Sequence, residues 1–199
     1  MDSFFGKIFL ASHSPRRRQL LSEAGFDVEV LVGIDVDETY PSHLSPCEIP
    51  LYLSKLKLSP YLTDGFADTL VTADTLVFLG DRVLGKPDSK EHAVEILESL
   101  MGEWHTVITG VSLLYNGKVY SFAEATKVKF ASLARPLIEH YVETYSPMDK
   151  AGAYGIQEWI GLIGVEKIEG DFYNIMGFPV CRFVELYRQL NDGAIQKTL

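Results

Sequence analysis

Cysteine is scarce in this chain of 199 residues: Cys47 and Cys181 are the only two, far apart and outside any CxxC pair. That spacing suggests neither a zinc site nor a disulfide framework. Positive charge is also in deficit, with 18 Lys and Arg against 27 Asp and Glu and a formal net charge of −9. Binding to DNA or RNA in general wants a broadly basic surface, so that class is set aside. A local basic pocket for a phosphorylated small molecule remains compatible with the total. No apolar run approaches the ~20 residues needed to span a bilayer. The stretch MDSFFGKIFLAS has a short apolar patch with no basic leader before it, which makes a poor signal peptide. GxGxxG and the P-loop pattern are both missing, and no Ser-His-Asp arrangement is readable. The expected setting is therefore soluble, reducing and cytoplasmic, with no membrane or nucleic-acid partner.

What is present is ordinary globular material, 47% hydrophobic and 23% charged, long enough for one domain with a real core. Lys7–Ala11 and Glu29–Val32 read as strands on either side of a helix, Pro15–Ala24, that Gly25 ends. The acidic, turn-rich GIDVDETYPSHLSP reads as loop. Glu48–Ser59 has helical spacing. Thr69–Leu79 is β-rich and turns at Gly80–Asp81 into Arg82–Leu84. Ser89 caps a helix over Lys90–Leu100. Trp104–Tyr115 and Val119–Phe130 are long strands joined at Asn116–Gly117, a strong hairpin signal. Pro136–Tyr145 and Val180–Leu190 read as helices, and Val165–Ile175 as strand. The expectation is an α/β fold: a mixed, twisted sheet flanked by helices, one domain over 1–199 with a cleft between two lobes, the second lobe roughly 104–150. Residues 191–199 are expected to fray.

Several residues stand out chemically. In LASHSPRRRQLL, Ser14 and Pro15 have the signature of a helix start, and Arg16, Arg17 and Arg18 follow in its first turn. That end of a helix favours acidic side chains. Three arginines are the wrong sign unless an anion binds there, with Ser12 and Ser14 as further donors. The alternative is three solvated charges. Asp74 interrupts an apolar β run, which is costly unless it is paired, metal-bound or facing a cleft. Lys86, between a glycine and a proline, is placed to share that cleft or to form a structural pair with Asp74. Asp35, Asp37 and Glu38 form an acidic loop; the first two read best as a solvated turn. Lys57 sits among Leu53, Leu56 and Leu58, facing inward or snorkelling out. In DKAGAYGIQ the small residues allow close backbone approach, and Gln157 can read a base edge with its amide. His105, in a strand pattern, reads as a structural histidine.

These pieces in this order resemble the Maf family of nucleoside triphosphate pyrophosphatases. The matching segments are LASHSPRR, Asp37–Glu38, Lys57, ADT at Ala73–Thr75, GKP at Gly85–Pro87, H-x-V-x-TG at His105–Gly110, DKAGAYGIQ and NIMGFP at Asn174–Pro179. The resemblance implies hydrolysis of a nucleoside triphosphate to the monophosphate and pyrophosphate, a divalent cation (Mg²⁺ or Mn²⁺), and a homodimer. Arg16, Thr75 and Gln157 match the branch that acts on dTTP and UTP. Modified pyrimidine triphosphates, or nucleotide binding without turnover in the control of cell division, are the alternatives. On this reading Ser12, Arg16, Arg17, Lys57 and Lys86 hold the triphosphate. Glu38 and Asp74 hold the metal, and Asp74 is the base. Arg18 has no matched role. Glu158 departs from the family pattern, where glycine is common, and Ser54 and Leu58 replace alanines.

Overall fold

A seven-stranded sheet of mixed direction organises the protein. The computed structural model describes residues 3–62 and 68–195, and only the backbone for 193–195. Strands β1 (Gly6–Ala11), β2 (Phe26–Leu31), β3 (Leu70–Leu79), β5 (Trp104–Tyr115), β6 (Lys118–Phe130) and β7 (Val165–Glu169) lie in the order β2-β1-β3-β5-β6-β7, and β4 (Arg82–Leu84) pairs with β3. The contacts of β1 with β2 and β3 are parallel, and the rest are antiparallel. Helices α1 (Pro15–Glu23), α2 (Glu48–Leu58), α3 (Lys90–Leu100), α4 (Arg135–Tyr145), α5 (Trp159–Gly164), α6 (Phe172–Ile175) and α7 (Val180–Ile195) cover it. The expected mixed α/β sheet is thus observed.

Local chemistry explains most boundaries. Asn116 and Gly117 both take positive φ, 49° and 71°, the backbone that a two-residue hairpin needs and that Asn-Gly tolerates. Ser89 caps α3 by accepting the His92 N–H at 3.1 Å. Two expectations change. The strand expected over Val165–Ile175 stops at Glu169. Gly170 then takes a φ of 125°, and Asp171 caps α6 by accepting the Tyr173 N–H at 2.8 Å. The last helix continues to Ile195 rather than ending at Leu190, and residues 196–199 of the expected tail lie outside the described residues. Helix α5, WIGLIG, was not anticipated; six residues with two glycines carry no readable period.

Side chains alternate across the sheet, and the alternation sorts the core. One cluster gathers Val77, Val107, Phe130, Tyr141 and Ile160 beneath α3 and α4. Another gathers Ile8, Leu21, Val111, Phe178 and Phe183 beneath α1 and α7. Strand β5 feeds both clusters, so a lobe drawn at 104–150 shares its hairpin with the other half of the sheet. Burial of such side chains stabilises by about 1.5–3 kcal/mol each. Helix α2 lies on the opposite face, with Ile49 and Leu53 against Phe78 and Ile108.

The approach of α2 depends on Gly110. A β-carbon there would lie 2.2 Å from the Pro50 carbonyl oxygen and 2.4 Å from the Leu51 nitrogen. Backbone therefore packs on backbone. The contact is consolidated by Ser54, fully buried, whose hydroxyl bonds the Leu51 carbonyl at 2.8 Å and the Ser112 hydroxyl at 2.8 Å. Gly110→Ala must push α2 off the sheet. It is expected to cost about 3 kcal/mol in urea unfolding; wild-type stability would contradict this packing.

Candidate active site

Strand β3 has one fully paired edge and one interrupted edge. Strand β5 pairs with it from Leu70 to Phe78. On the other side β1 reaches only Leu70 and Val71, and β4 begins at Val77. Between them, around Ala73–Thr75, the edge carries no strand. This gap opens into a cavity of about 420 Å³ lined by Ser12, Arg16, Lys57, Asp74, Lys86 and Gln157 among others.

Arg17 fills the inner part of the gap. Its Nη1 donates to the Ala73 carbonyl at 2.8 Å and to Ser12 Oγ at 3.2 Å. Its Nε donates to the Gly177 carbonyl at 2.9 Å, and Nη2 to Thr75 Oγ1 at 3.0 Å. Four of its five donors are thereby committed to protein. Burial lowers its pKa, and the Asp74 charge opposes that. Thr75 Oγ1 also meets Thr109 Oγ1 at 2.9 Å. Arg17 thus ties the start of α1, β3 and the Gly177 turn together. The next-door Arg16 behaves differently: it is partly exposed, lines the cavity and pairs with Asp149 at 2.7 Å. Ser14 caps α1 as expected, accepting the Arg17 N–H at 3.4 Å. Arg18 is exposed.

Asp74 lies opposite Gly110 on the α2 face of the sheet. Its residue is 7% exposed, and its Oδ1 accepts a hydrogen bond from Lys57 Nζ. Its Oδ2 is buried and has no hydrogen-bond partner. Lys57 therefore faces inward, and the same ammonium reaches Glu38 Oε1 at 3.2 Å. The loop carrying Glu38 is anchored by Tyr61, whose hydroxyl donates to the Val32 carbonyl at 3.0 Å and accepts the Ile34 N–H at 3.2 Å. Asp37 turns instead to Thr39, whose hydroxyl and N–H bond its carboxylate and lower its pKa. Asp35 lines the cavity. The partner of Asp74 is Lys57, not Lys86, which is exposed and makes no ion pair among the described residues.

The DKAGAYGIQ passage supplies the opposite wall. Gln157 is exposed at the cavity rim, and Tyr154 is buried in its floor. The Tyr154 hydroxyl meets His105 Nε2 at 2.8 Å, and His105 stacks on Phe130 at 5.4 Å. Burial lowers the His105 pKa to about 4, so this histidine is neutral and structural, as its strand pattern suggests. Asp149 and Lys150 were passed over in the sequence. Both line the cavity, Lys150 with only 8% exposure, and they pair at 2.7 Å. Burial raises the Asp149 pKa, but hydrogen bonds from Lys150 and Arg16 overcome it and hold the carboxyl at about 2. The available signal was an acid–base pair set directly before a run of small residues.

The donor set fits a hard divalent cation only together with a ligand. Among the described residues no three His, Cys, Asp or Glu gather as a metal cluster. Mg²⁺, however, commonly takes one or two carboxylates and completes its shell with water and phosphate oxygens. Asp74 and Glu38, which share the Lys57 ammonium, would supply two such carboxylates.

The gap in β3, its cations and its half-partnered carboxylate define a mixed α/β protein with a charged cleft at one sheet edge. A family model described as Maf-like protein matches residues 7–190, and the chain belongs to that family. It is 51% identical over 177 residues to the dTTP/UTP pyrophosphatase of Bacteroides thetaiotaomicron, covering 87% of this chain and 91% of that protein. It is 47% identical to the dTTP/UTP pyrophosphatase of Cytophaga hutchinsonii over 92% of this chain and 84% of that one. Among solved structures, a HAM1 protein from Coxiella burnetii aligns with a TM-score of 0.43 at 14% identity, over 64% of this chain and 74% of that chain. No helix among the described residues is long and apolar enough to cross a membrane.

The division between the two arginines is testable by stability. Arg17→Lys loses the forked geometry and is expected to cost about 3 kcal/mol. Arg16→Lys, in a partly exposed pair, is expected to cost less than about 1 kcal/mol. Equal losses in chemical unfolding would refute the division.

Proposed function

We propose that this protein is a nucleoside triphosphate pyrophosphatase acting on dTTP and UTP, which releases the nucleoside monophosphate and pyrophosphate. The observation that carries this reading is Asp74. One of its oxygens is held by Lys57, the other is buried without a hydrogen-bond partner, and the residue lines the cleft beside Arg16, Lys57 and Lys86. Membership in the Maf-like family and the names of relatives at 42–51% identity support it.

A triphosphate repels an anionic or lone-pair nucleophile, so the site must gather positive charge and place a water. Arg16, Lys57, Lys86 and the start of α1 supply that charge. Ser12 accepts from the Ser14 N–H and from Arg17, leaving its own O–H to donate to a phosphate oxygen. Arg17 adds its charge from below and keeps Ser12 and α1 in place. The Asp74 Oδ2 takes a proton from a water. The water oxygen forms a bond to the α-phosphorus while the bridge to the β-phosphate breaks, and pyrophosphate leaves against Lys57 and Lys86. Glu38 with Asp74 would hold Mg²⁺ or Mn²⁺, which supplies Lewis-acid stabilisation of phosphate charge. Gln157 offers both donor and acceptor to the edge of thymine or uracil. Arg16 stands across the cleft from it. Thr75 contributes through Arg17, to which its hydroxyl is bonded.

General-base assistance is worth about 10²–10⁴-fold. Asp74→Asn is therefore expected to lower kcat by that factor in pyrophosphate release from dTTP, with KM changed by less than about threefold. EDTA in the same assay is expected to abolish wild-type turnover, and added Mg²⁺ to restore it. Near-normal turnover in either case would contradict the assignment concerned.

A further inference from the structure

Arg16 and Gln157, two of the residues that match the dTTP/UTP branch, are linked structurally: a chain of charged contacts runs from Arg16 to Glu158, the residue next to Gln157. Arg16 Nη1 meets Asp149 Oδ2 at 2.7 Å. Asp149 Oδ1 meets Lys150 Nζ at 2.7 Å, and Lys150 Nζ meets Glu158 Oε1 at 3.2 Å. Glu158 Oε2 accepts a hydrogen bond from the Tyr141 hydroxyl, which in turn accepts the Gly155 N–H at 3.0 Å. The Glu158 N–H closes the segment by donating to the Gly155 carbonyl at 3.0 Å.

Gly155–Glu158 is therefore a tight turn with Gln157 at its third position, and both ends are pinned by one hydroxyl. Tyr141 is fully buried on α4, so the pin is fixed in the core. The Glu158 side chain folds back over Gly155: a β-carbon at Gly155 would lie 2.6 Å from Glu158 Cδ. A side chain at 155 would displace this carboxylate from where it now lies. Lys150, also buried, has its charge satisfied by Asp149 and Glu158 on either side. Glu158 is the one residue that belongs to both the turn and the ion chain.

We propose that Glu158 is a positioning residue for substrate selection: through Tyr141 it sets the turn that presents Gln157, and through Lys150 and Asp149 it sets where Arg16 stands. This rests on the reading of the cleft as a pyrimidine triphosphate site. Glu158 does not line the cavity, so it acts on the base through its neighbours and not on the bond that breaks. Misplacement of a positioning group by an ångström can cost on the order of 10²-fold. A partial release of two such groups is expected to cost about tenfold.

The test compares kcat and KM for dTTP and dCTP in the wild type, Glu158→Ala and Glu158→Gln, each checked for cooperative unfolding. Glu158→Ala is expected to raise the KM for dTTP about tenfold and to narrow the kcat/KM preference for dTTP over dCTP about tenfold, with kcat within about threefold. Glu158→Gln keeps an acceptor for Tyr141 but loses the charge that faces Lys150. It is expected to fall between wild type and Glu158→Ala, and its near-identical shape lets it decide the matter if the alanine variant does not fold. A lower melting temperature with the wild-type preference intact would overturn the proposal and reduce Glu158 to a structural role. A wild type that turns over neither nucleotide would overturn the pyrophosphatase reading itself, and this inference with it.

Discussion

The structure depends on an interruption in hydrogen bonding along one edge of β3. Strand β1 leaves that edge after Val71, and β4 joins it only at Val77. Backbone groups left bare in a sheet are costly unless something else satisfies them. Here the guanidinium of Arg17 takes the Ala73 carbonyl and reaches on to Ser12, Thr75 and Gly177. A strand in the same place would have closed the sheet and removed the cleft. The arginine satisfies that carbonyl and leaves Asp74 as a lining residue of the cleft, with one carboxylate oxygen unpartnered.

The same gap explains why one site draws on distant parts of the chain. The wall carrying α1 brings Ser12 and Arg16. The opposite face of the sheet brings Lys57, because Gly110 lets α2 rest directly on β5. The passage after α4 brings Asp149, Lys150 and Gln157. Arg16, Lys57 and Lys150 each already have a carboxylate partner within the protein, while Arg17 is held by carbonyls and hydroxyls and Lys86 makes no ion pair among the described residues, so most of the cleft's positive charge is offset. On the proposed function, a triphosphate would exchange partners with these carboxylates rather than meet a bare positive field, which suits a protein whose overall charge is −9.

Much of the fold was legible because its signals are local. The Asn116–Gly117 hairpin, the Ser14–Pro15 helix start and the apolar run of β3 each follow from a few neighbouring residues. Where the reading fell short, the cause was long-range or short-period. The reach of Lys57 toward Asp74 depends on a glycine 53 positions later in the chain, at Gly110. The partners of Arg17 include two backbone carbonyls, which no residue pattern advertises. The buried Asp149–Lys150 pair reads as an ordinary acid–base neighbour until the turn around Gly155 encloses it. The stop of β7 at Glu169 was hidden because Asp171 caps a helix of one turn, too short to show a period.

The central claim is that the carboxylate at the open edge of β3 directs water to the α-phosphorus. Hydrolysis of dTTP in ¹⁸O-labelled water, followed by ³¹P NMR of the products, tests it most directly. The account predicts one labelled oxygen in the thymidine monophosphate and none in the pyrophosphate. Label in the pyrophosphate, or release of orthophosphate with a nucleoside diphosphate, would contradict it.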